Sequence, residues 1–249
     1  MDLSTLPLVG PFVAAALHAG ADLLAALTAG LTPVAGPLAA ALAVVVATLA
    51  VRALLVPLAV LQVRAERDRR RLAPQLAALR KRHGRDTARL QQAVQELYTS
   101  EHVSPLAGCL PVLAQAPVVS LVYALFTHAS IAGAANTLLD ATLVGIPLGH
   151  SFVAVVTSPL WVHGWVVLLV LVALAVVVEL TRRANLRWNP PTPVDTAVPG
   201  AAVTTAVTRW VPFVTVVFAA IAPLAAALYV LTSAGWTAGE RAVLRRALR

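Results

Sequence analysis

Four long apolar runs, nearly free of charge, constrain this chain more than any other feature. They cover about residues 38–63, 106–127, 161–180 and 203–236. A bilayer span needs about 20 mostly apolar residues, and the first three runs each meet that length once. The fourth is too long for one helix, and Pro223 sits in its middle, so it reads as two short helices over 204–221 and 223–239. Composition agrees. Hydrophobic residues make up 59% of the 249 and charged residues 12%, whereas a soluble domain carries about 25% charged residues. So few charges could not cover a water-facing surface, and so apolar a chain is not disordered. The sequence predicts an all-α membrane protein with five transmembrane helices.

The placement of the cations orients those spans. Ten fall within 64–102: Arg64, Arg67, Arg69, Arg70, Arg71, Arg80, Lys81, Arg82, Arg85 and Arg89. Residues 182–209 hold Arg182, Arg183, Arg187 and Arg209, and the tail holds Arg241, Arg245, Arg246 and Arg249. Residues 1–33 and 128–160 contain no Lys or Arg. Basic loops stay in the cytoplasm. The predicted topology therefore has the N-terminus outside and both basic loops and the C-terminus inside. Met1-Asp2-Leu3-Ser4 lacks the basic start of a cleavable signal, so the mature chain is expected to begin near Met1.

Two segments outside the spans carry helical periodicity. Leu72, Leu76 and Leu79, then Leu90, Val94 and Leu97, each mark one apolar face, with a turn at His83-Gly84-Arg85-Asp86. Residues 64–102 thus read as a cytoplasmic helical hairpin in which Gly84 ends one arm and Asp86 caps the other. Its charges make it either a solvated topology signal or a contact surface for anionic lipid, ribosome or an incoming chain. In residues 1–33, Val13, Leu17, Leu24, Leu27 and Leu31 share a face while His18 and Asp22 lie elsewhere. This reads as an external interfacial amphipathic helix. A sixth span is the competing reading, and it would leave a cytoplasmic N-terminus without a positive charge.

Arg52 is the residue that points to function. It lies twelve positions before Arg64, about 18 Å along a helix, which puts it near mid-membrane. An arginine there costs on the order of 3 kcal/mol. Glu179 is the only acid within the spans, and its place at the cytoplasmic end of the third helix suits it poorly as a partner. A hydrated cavity around Arg52 is the expectation. Thr48, Gln115, Ser120, Thr215 and Ser233 could line it. Gln115, between Pro111 and Pro117, is the strongest of these, because a buried amide needs partners, whereas a lone Ser or Thr in a span often bonds its own i−4 carbonyl. The six histidines show no metal-ligand spacing, and Cys109 is the only cysteine. No phosphate loop or activated nucleophile is visible, so no cofactor, metal or covalent catalysis is expected.

The run Val103-Ser104-Pro105-Leu106-Ala107-Gly108-Cys109-Leu110-Pro111, followed by Gln115-Ala116-Pro117, resembles a signature of the YidC/Oxa membrane protein insertases. The basic hairpin from Leu72-Ala73-Pro74-Gln75 to Leu97-Tyr98 precedes it, as in that family. Arg52 followed by Leu54-Leu55-Val56-Pro57-Leu58 resembles the helix that carries the family's groove arginine, and Pro223 through Tyr229 and Thr232-Ser233 resembles its last-helix motif. The chain departs from the family at Ser104, where Asn is usual, at Ala225 or Ala226 (Gly), at Val230 (Trp) and at Ala234 (Asn).

The resemblance implies five spans around a positively charged hydrophilic groove, open to cytoplasm and lipid and closed outside. Arg52 would attract acidic residues of a substrate's external tail, and Tyr229 joins the groove set of Arg52, Gln115, Thr48, Ser120, Thr215 and Ser233. Arg69, Arg70, Arg71, Arg80, Lys81, Arg82 and Arg85 would recruit substrate. Nascent membrane proteins and the lipid bilayer are the implied partners, with the ribosome and a Sec translocon beside them. The resemblance also implies the short form of the family, in a bacterial plasma membrane, working as a monomer. A small anion transporter or channel subunit using Arg52 is the alternative, although the internal repeats it would favour are not found. A membrane scaffold would leave Arg52 unexplained.

Overall fold

In the computed structural model the described backbone comprises residues 10–83, 86–101, 103, 120–121, 123–126, 128, 130–131, 134–136, 139–188 and 201–247. Eight helices are named here: α1 (Gly10–Ala35), α2 (Ala39–Leu54), α3 (Val56–His83), α4 (Thr87–Ser100), α5 (Phe152–Val156), α6 (Gly164–Trp188), α7 (Ala201–Ile221) and α8 (Leu224–Ala247). Residues 120, 121 and 123–126 are also helical. Two antiparallel ribbons of two-residue strands are the extended elements described, β1 (Ser130–Ile131) with β2 (Ala134–Ala135) and β3 (Thr142–Leu143) with β4 (Ile146–Pro147). The class is all-α. Among the described residues, two stretches are long and apolar enough to cross a membrane, Ala14–Leu54 and Pro159–Trp188, and Trp210–Ile221 is a shorter apolar helix. Most of the expected second span, 106–127, lies outside the described residues.

The chain forms two compact units. One contains the described residues up to Arg52 and those from Ser120 to Ala238. Its core gathers Leu24 of α1, Ala40, Ala41, Ala43 and Val44 of α2, Leu125 and Phe126, Val167, Val170 and Leu174 of α6, and Leu224, Ala225, Ala227 and Tyr229 of α8. Alanine dominates α2 and the start of α8, and such small side chains let helix backbones approach closely where lipid offers no hydrophobic drive to associate. In α1, Leu17, Leu27 and Leu31 pack on this core beside Leu24. At Gly20 the approach is close, because a Cβ there would lie 3.1 Å from Leu125 Cδ1.

Two breaks shape the first apolar stretch. Gly36, at φ +51°, redirects the chain between α1 and α2 through a 3-10 turn, Gly36–Leu38. A non-glycine residue would carry a steric penalty at that angle. The second break divides the run expected as one span over 38–63, since α2 ends at Leu54 and α3 begins at Val56. Pro57 supplies the reason. It has no N–H to give the Ala53 carbonyl, and its ring crowds that carbonyl. A third parting falls at Ala222-Pro223, between α7 and α8.

The connection over residues 139–163 is folded onto these helix ends. Ile146 and Leu148 are fully buried, and Ser151 and Ser158 cap the short helices that follow by accepting from Ala154 N and Leu160 N. The first turn of α8 finds its acceptors in this segment, with Leu224 N donating to His150 O (2.8 Å) and Ala225 N to Leu148 O (3.0 Å). Backbone donors at a helix start have no intrahelical partner, so these bonds fix the loop to the helix end.

The second unit contains the described residues of Ala53 to Val103 and the end of α8 from Gly239. Here α3 and α4 pack as antiparallel arms. Leu72 is fully buried, Leu76, Leu79, Leu90, Val94 and Leu97 are half-buried, and most of the remaining surface is exposed. Asp86 caps α4 by accepting from Arg89 N at 3.0 Å. Arg71 and Glu101 join the arms at 2.8 Å.

Candidate functional site

The site is built on the parts of α2 and α8 that belong to the first unit, up to Arg52 and from Leu224 to Ala238. Arg52 lies in the last turn of α2, and the whole helix before it is apolar except for Thr48. Its side chain is half-buried and reaches Ser233 on α8. Arg52 Nε donates to Ser233 Oγ at 2.8 Å, and Nη2 donates to the same oxygen. Ser233 is only 4% exposed, so this is a charge-assisted bond away from bulk water. One edge of the guanidinium fork is thereby fixed to a helix 181 residues away in sequence.

The other expected residues separate into groups. Thr48 is buried one turn before Arg52, and its Oγ1 donates to Val44 O at 2.7 Å within its own helix. Tyr229 is buried one turn before Ser233. These two therefore flank the Arg52–Ser233 bond along the same two helices. Ser120 and Thr215 are exposed, and Thr215 shares the exposed side of α7 with Val211, Val214 and Phe218. Gln115 lies outside the described residues.

Glu179, considered above as an acid for Arg52, is engaged on its own helix. Arg182 Nε and Nη2 donate to its two oxygens at 2.7 and 2.9 Å, and Arg183 Nε donates at 2.6 Å. This cluster ends an exposed apolar stripe on one side of α6 and of the 3-10 turn before it, Pro159–His163. The stripe runs from Trp161 through Trp165, Leu168, Leu169, Val172 and Val176 to Leu180, about 29 Å at helical rise. That length matches a hydrocarbon layer, with tryptophans at one end and arginines at the other.

On the hairpin, Arg70, Arg71, Lys81 and Arg82 are exposed. The side chains of Arg69 and Arg80, and all of Arg85, lie outside the described residues. Among the described residues no group of three or more His, Cys, Asp or Glu is placed to hold a metal ion.

Three polar contacts escape sequence reading. Asn136, 7% exposed, donates through Nδ2 to Leu125 O (2.6 Å) and His128 O (2.9 Å), closing the end of the helical segment at 123–126. Glu66 and Arg245 form an ion pair in the second unit. The Leu148 and His150 carbonyls receive the start of α8. Each joins positions remote in sequence, and none has a periodic signal.

The sequence model of the family described as 60Kd inner membrane protein matches residues 31–249. Two relatives carry the name membrane protein insertase YidC. One, from Pseudomonas putida, is 42% identical over 79 residues, which is 32% of this chain and 14% of the relative. The other, from Neisseria meningitidis, is 41% identical over 88 residues, 35% of this chain and 16% of the relative. The aligned stretches thus span less than one fifth of the length of these relatives.

Proposed function

The chain belongs to the 60Kd inner membrane protein family, the family of the YidC/Oxa proteins, and on that footing we propose that it inserts nascent proteins into the membrane. The observation that carries the reading is the Arg52–Ser233 contact, a cation tied between two otherwise apolar helices. A charge at such a position is costly and marks a functional path. A hydrophilic segment of a substrate enters part-way beside Arg52. Its acidic residues are drawn to the guanidinium, and its apolar helix moves on into lipid, which supplies the driving force. No covalent step or nucleotide is needed.

Five spans around a groove that opens to cytoplasm and lipid would serve this reaction, with the N-terminus outside and the C-terminus inside. The helix break at Pro223, the α6 stripe and the charge bias support that arrangement. The folded segment that binds the start of α8 supports closure on the outer side. The α1 segment is assigned to the outer interface as an amphipathic helix. The exposed cations of the hairpin and tail would meet substrate and, beside it, ribosome or translocon. A small anion transporter gains no support from relatives described as insertases.

The test is complementation of an insertase-depleted bacterium with wild type, Arg52→Ala and Arg52→Lys, reading insertion of a single-span substrate with an acidic external tail. Wild type and Lys are expected to restore insertion, Lys less fully, and Ala to fail. Rescue by all three would remove Arg52 from the mechanism, and failure of well-expressed wild type would overturn the insertase reading.

A further inference from the structure

Ser233 behaves unlike the other buried or half-buried hydroxyls of its neighbourhood. Thr48 Oγ1 donates to Val44 O, Thr232 Oγ1 to Leu228 O and Thr237 Oγ1 to Ser233 O, each at i−4 on its own helix. That local bond is the ordinary fate of a hydroxyl in an apolar helix. The Ser233 oxygen instead accepts from another helix, and it takes two donors of one guanidinium. A hydroxyl oxygen has two acceptor lone pairs, so Arg52 fills both.

We propose that Ser233 is a positioning residue for Arg52, fixing through an uncharged acceptor the place at which the positive charge meets a substrate's acidic residue. An arginine side chain is long and rotamer-rich, and a single bond would leave its plane free to turn. Two donors on one buried oxygen restrain both reach and plane. Because serine is neutral, the Arg52–Ser233 pair keeps a full positive charge, which a carboxylate at the same position would cancel. Arginine and not lysine can present the Nε and Nη2 edge that this contact uses. The inference rests on the insertase reading for its consequence, but the positioning itself does not.

The experiment uses the full chain carrying Ser233→Thr, Ser233→Ala or Ser233→Asp. Insertion is read for two single-span substrates that differ only in an acidic or an uncharged external tail. Thr keeps the acceptor and is expected to stay near wild type. Ala should lower insertion of the acidic-tail substrate about fivefold, and Asp about tenfold or more by neutralising the cation. The uncharged-tail substrate should change less than about twofold in both, on the same scale of hydrogen-bond loss. Equal losses for the two tails would make Ser233 merely structural and overturn the proposal, as would an unchanged ratio with Asp.

A second readout needs no substrate. Solid-state NMR of the Arg52 Nε–H in proteoliposomes should show slow hydrogen exchange in wild type and Ser233→Thr, and markedly faster exchange in Ser233→Ala. Equal exchange in wild type and Ala would overturn the positioning role. If wild type inserts neither substrate while its Nε–H is protected, the insertase reading fails and the positioning stands.

Discussion

Arg245, in the last turn of α8, places Nη2 2.7 Å from Oε1 of Glu66 on α3, with 8% of its side chain and 23% of the glutamate's exposed. The tail helix is thus tied to the base of the basic hairpin by an ion pair that water barely reaches. Such a pair adds little over an apolar substitute, yet removing one partner strands a buried charge and costs about 3 kcal/mol. Glu66→Ala is therefore expected to lower thermal stability and expose the end of α8 to protease. Glu66→Ala combined with Arg245→Leu should recover part of that loss. The double-mutant cycle, read by unfolding in detergent, decides it. Strict additivity of the two single changes would mean that the pair is energetically idle.

Val144 and Gly145 join β3 to β4, with φ of 51° and 81°. Positive φ at both loop positions is what a tight two-residue hairpin requires, and Asn or Gly is the usual first residue. A β-branched side chain there is strained by about 1–2 kcal/mol. Val144→Asn or Val144→Gly should raise the melting temperature. Gly145→Val should lower it, because a β-branched residue at that positive φ is strained. An unchanged melting temperature in Val144→Asn would show that the turn carries no strain.

The amide of Asn136 gives a sharper contrast, because its Nδ2 donates to both the Leu125 and His128 carbonyls. Asn136→Ala loses those bonds. Asn136→Asp loses them and sets a buried carboxylate against two carbonyl oxygens. The expected order of stability is wild type, then Ala, then Asp, with Ala costing about 2 kcal/mol. Unfolding in detergent at neutral pH measures this. At pH low enough to protonate the aspartate, Asp should move toward Ala. If Asp equals wild type, the Nδ2 bonds do not hold the helix end, which is closed in some other way.

What could be read from sequence follows the range of the interactions involved. The helical arms and the Asp86 cap depend on neighbours within a few residues, where periodicity and capping chemistry operate, while Gly84 lies outside the described residues. The parting at Pro223 has the same local origin. The break at Leu55 was also encoded, in Pro57, but an unbroken apolar run hid it. Contacts such as Arg245 with Glu66, or Asn136 with Leu125, depend on which segments the tertiary fold brings together, and no spacing announces them. The site divides along the same line. The cost of Arg52 was legible from its apolar surroundings alone, whereas its contact with Ser233 instead of another candidate hydroxyl required the packing of α8 on α2.

Thr48 separates residues that sit near the cation from residues that serve it. It was a candidate for the same lining as Ser233, and it is equally buried, one turn from Arg52. Its hydroxyl, however, donates to Val44 O, so removing it exposes no partner of Arg52. The carbonyl it leaves already accepts the helix's own backbone N–H of Thr48. Thr48→Val keeps the volume and should leave insertion of an acidic-tailed substrate within about twofold of wild type, because the net worth of such an i−4 bond is small. Ser233→Ala, a change of similar size, should cost several times more. If Thr48→Val is as damaging as Ser233→Ala, then the hydroxyl leaves its carbonyl during the reaction to meet the substrate, and both helices supply polar contacts to the path.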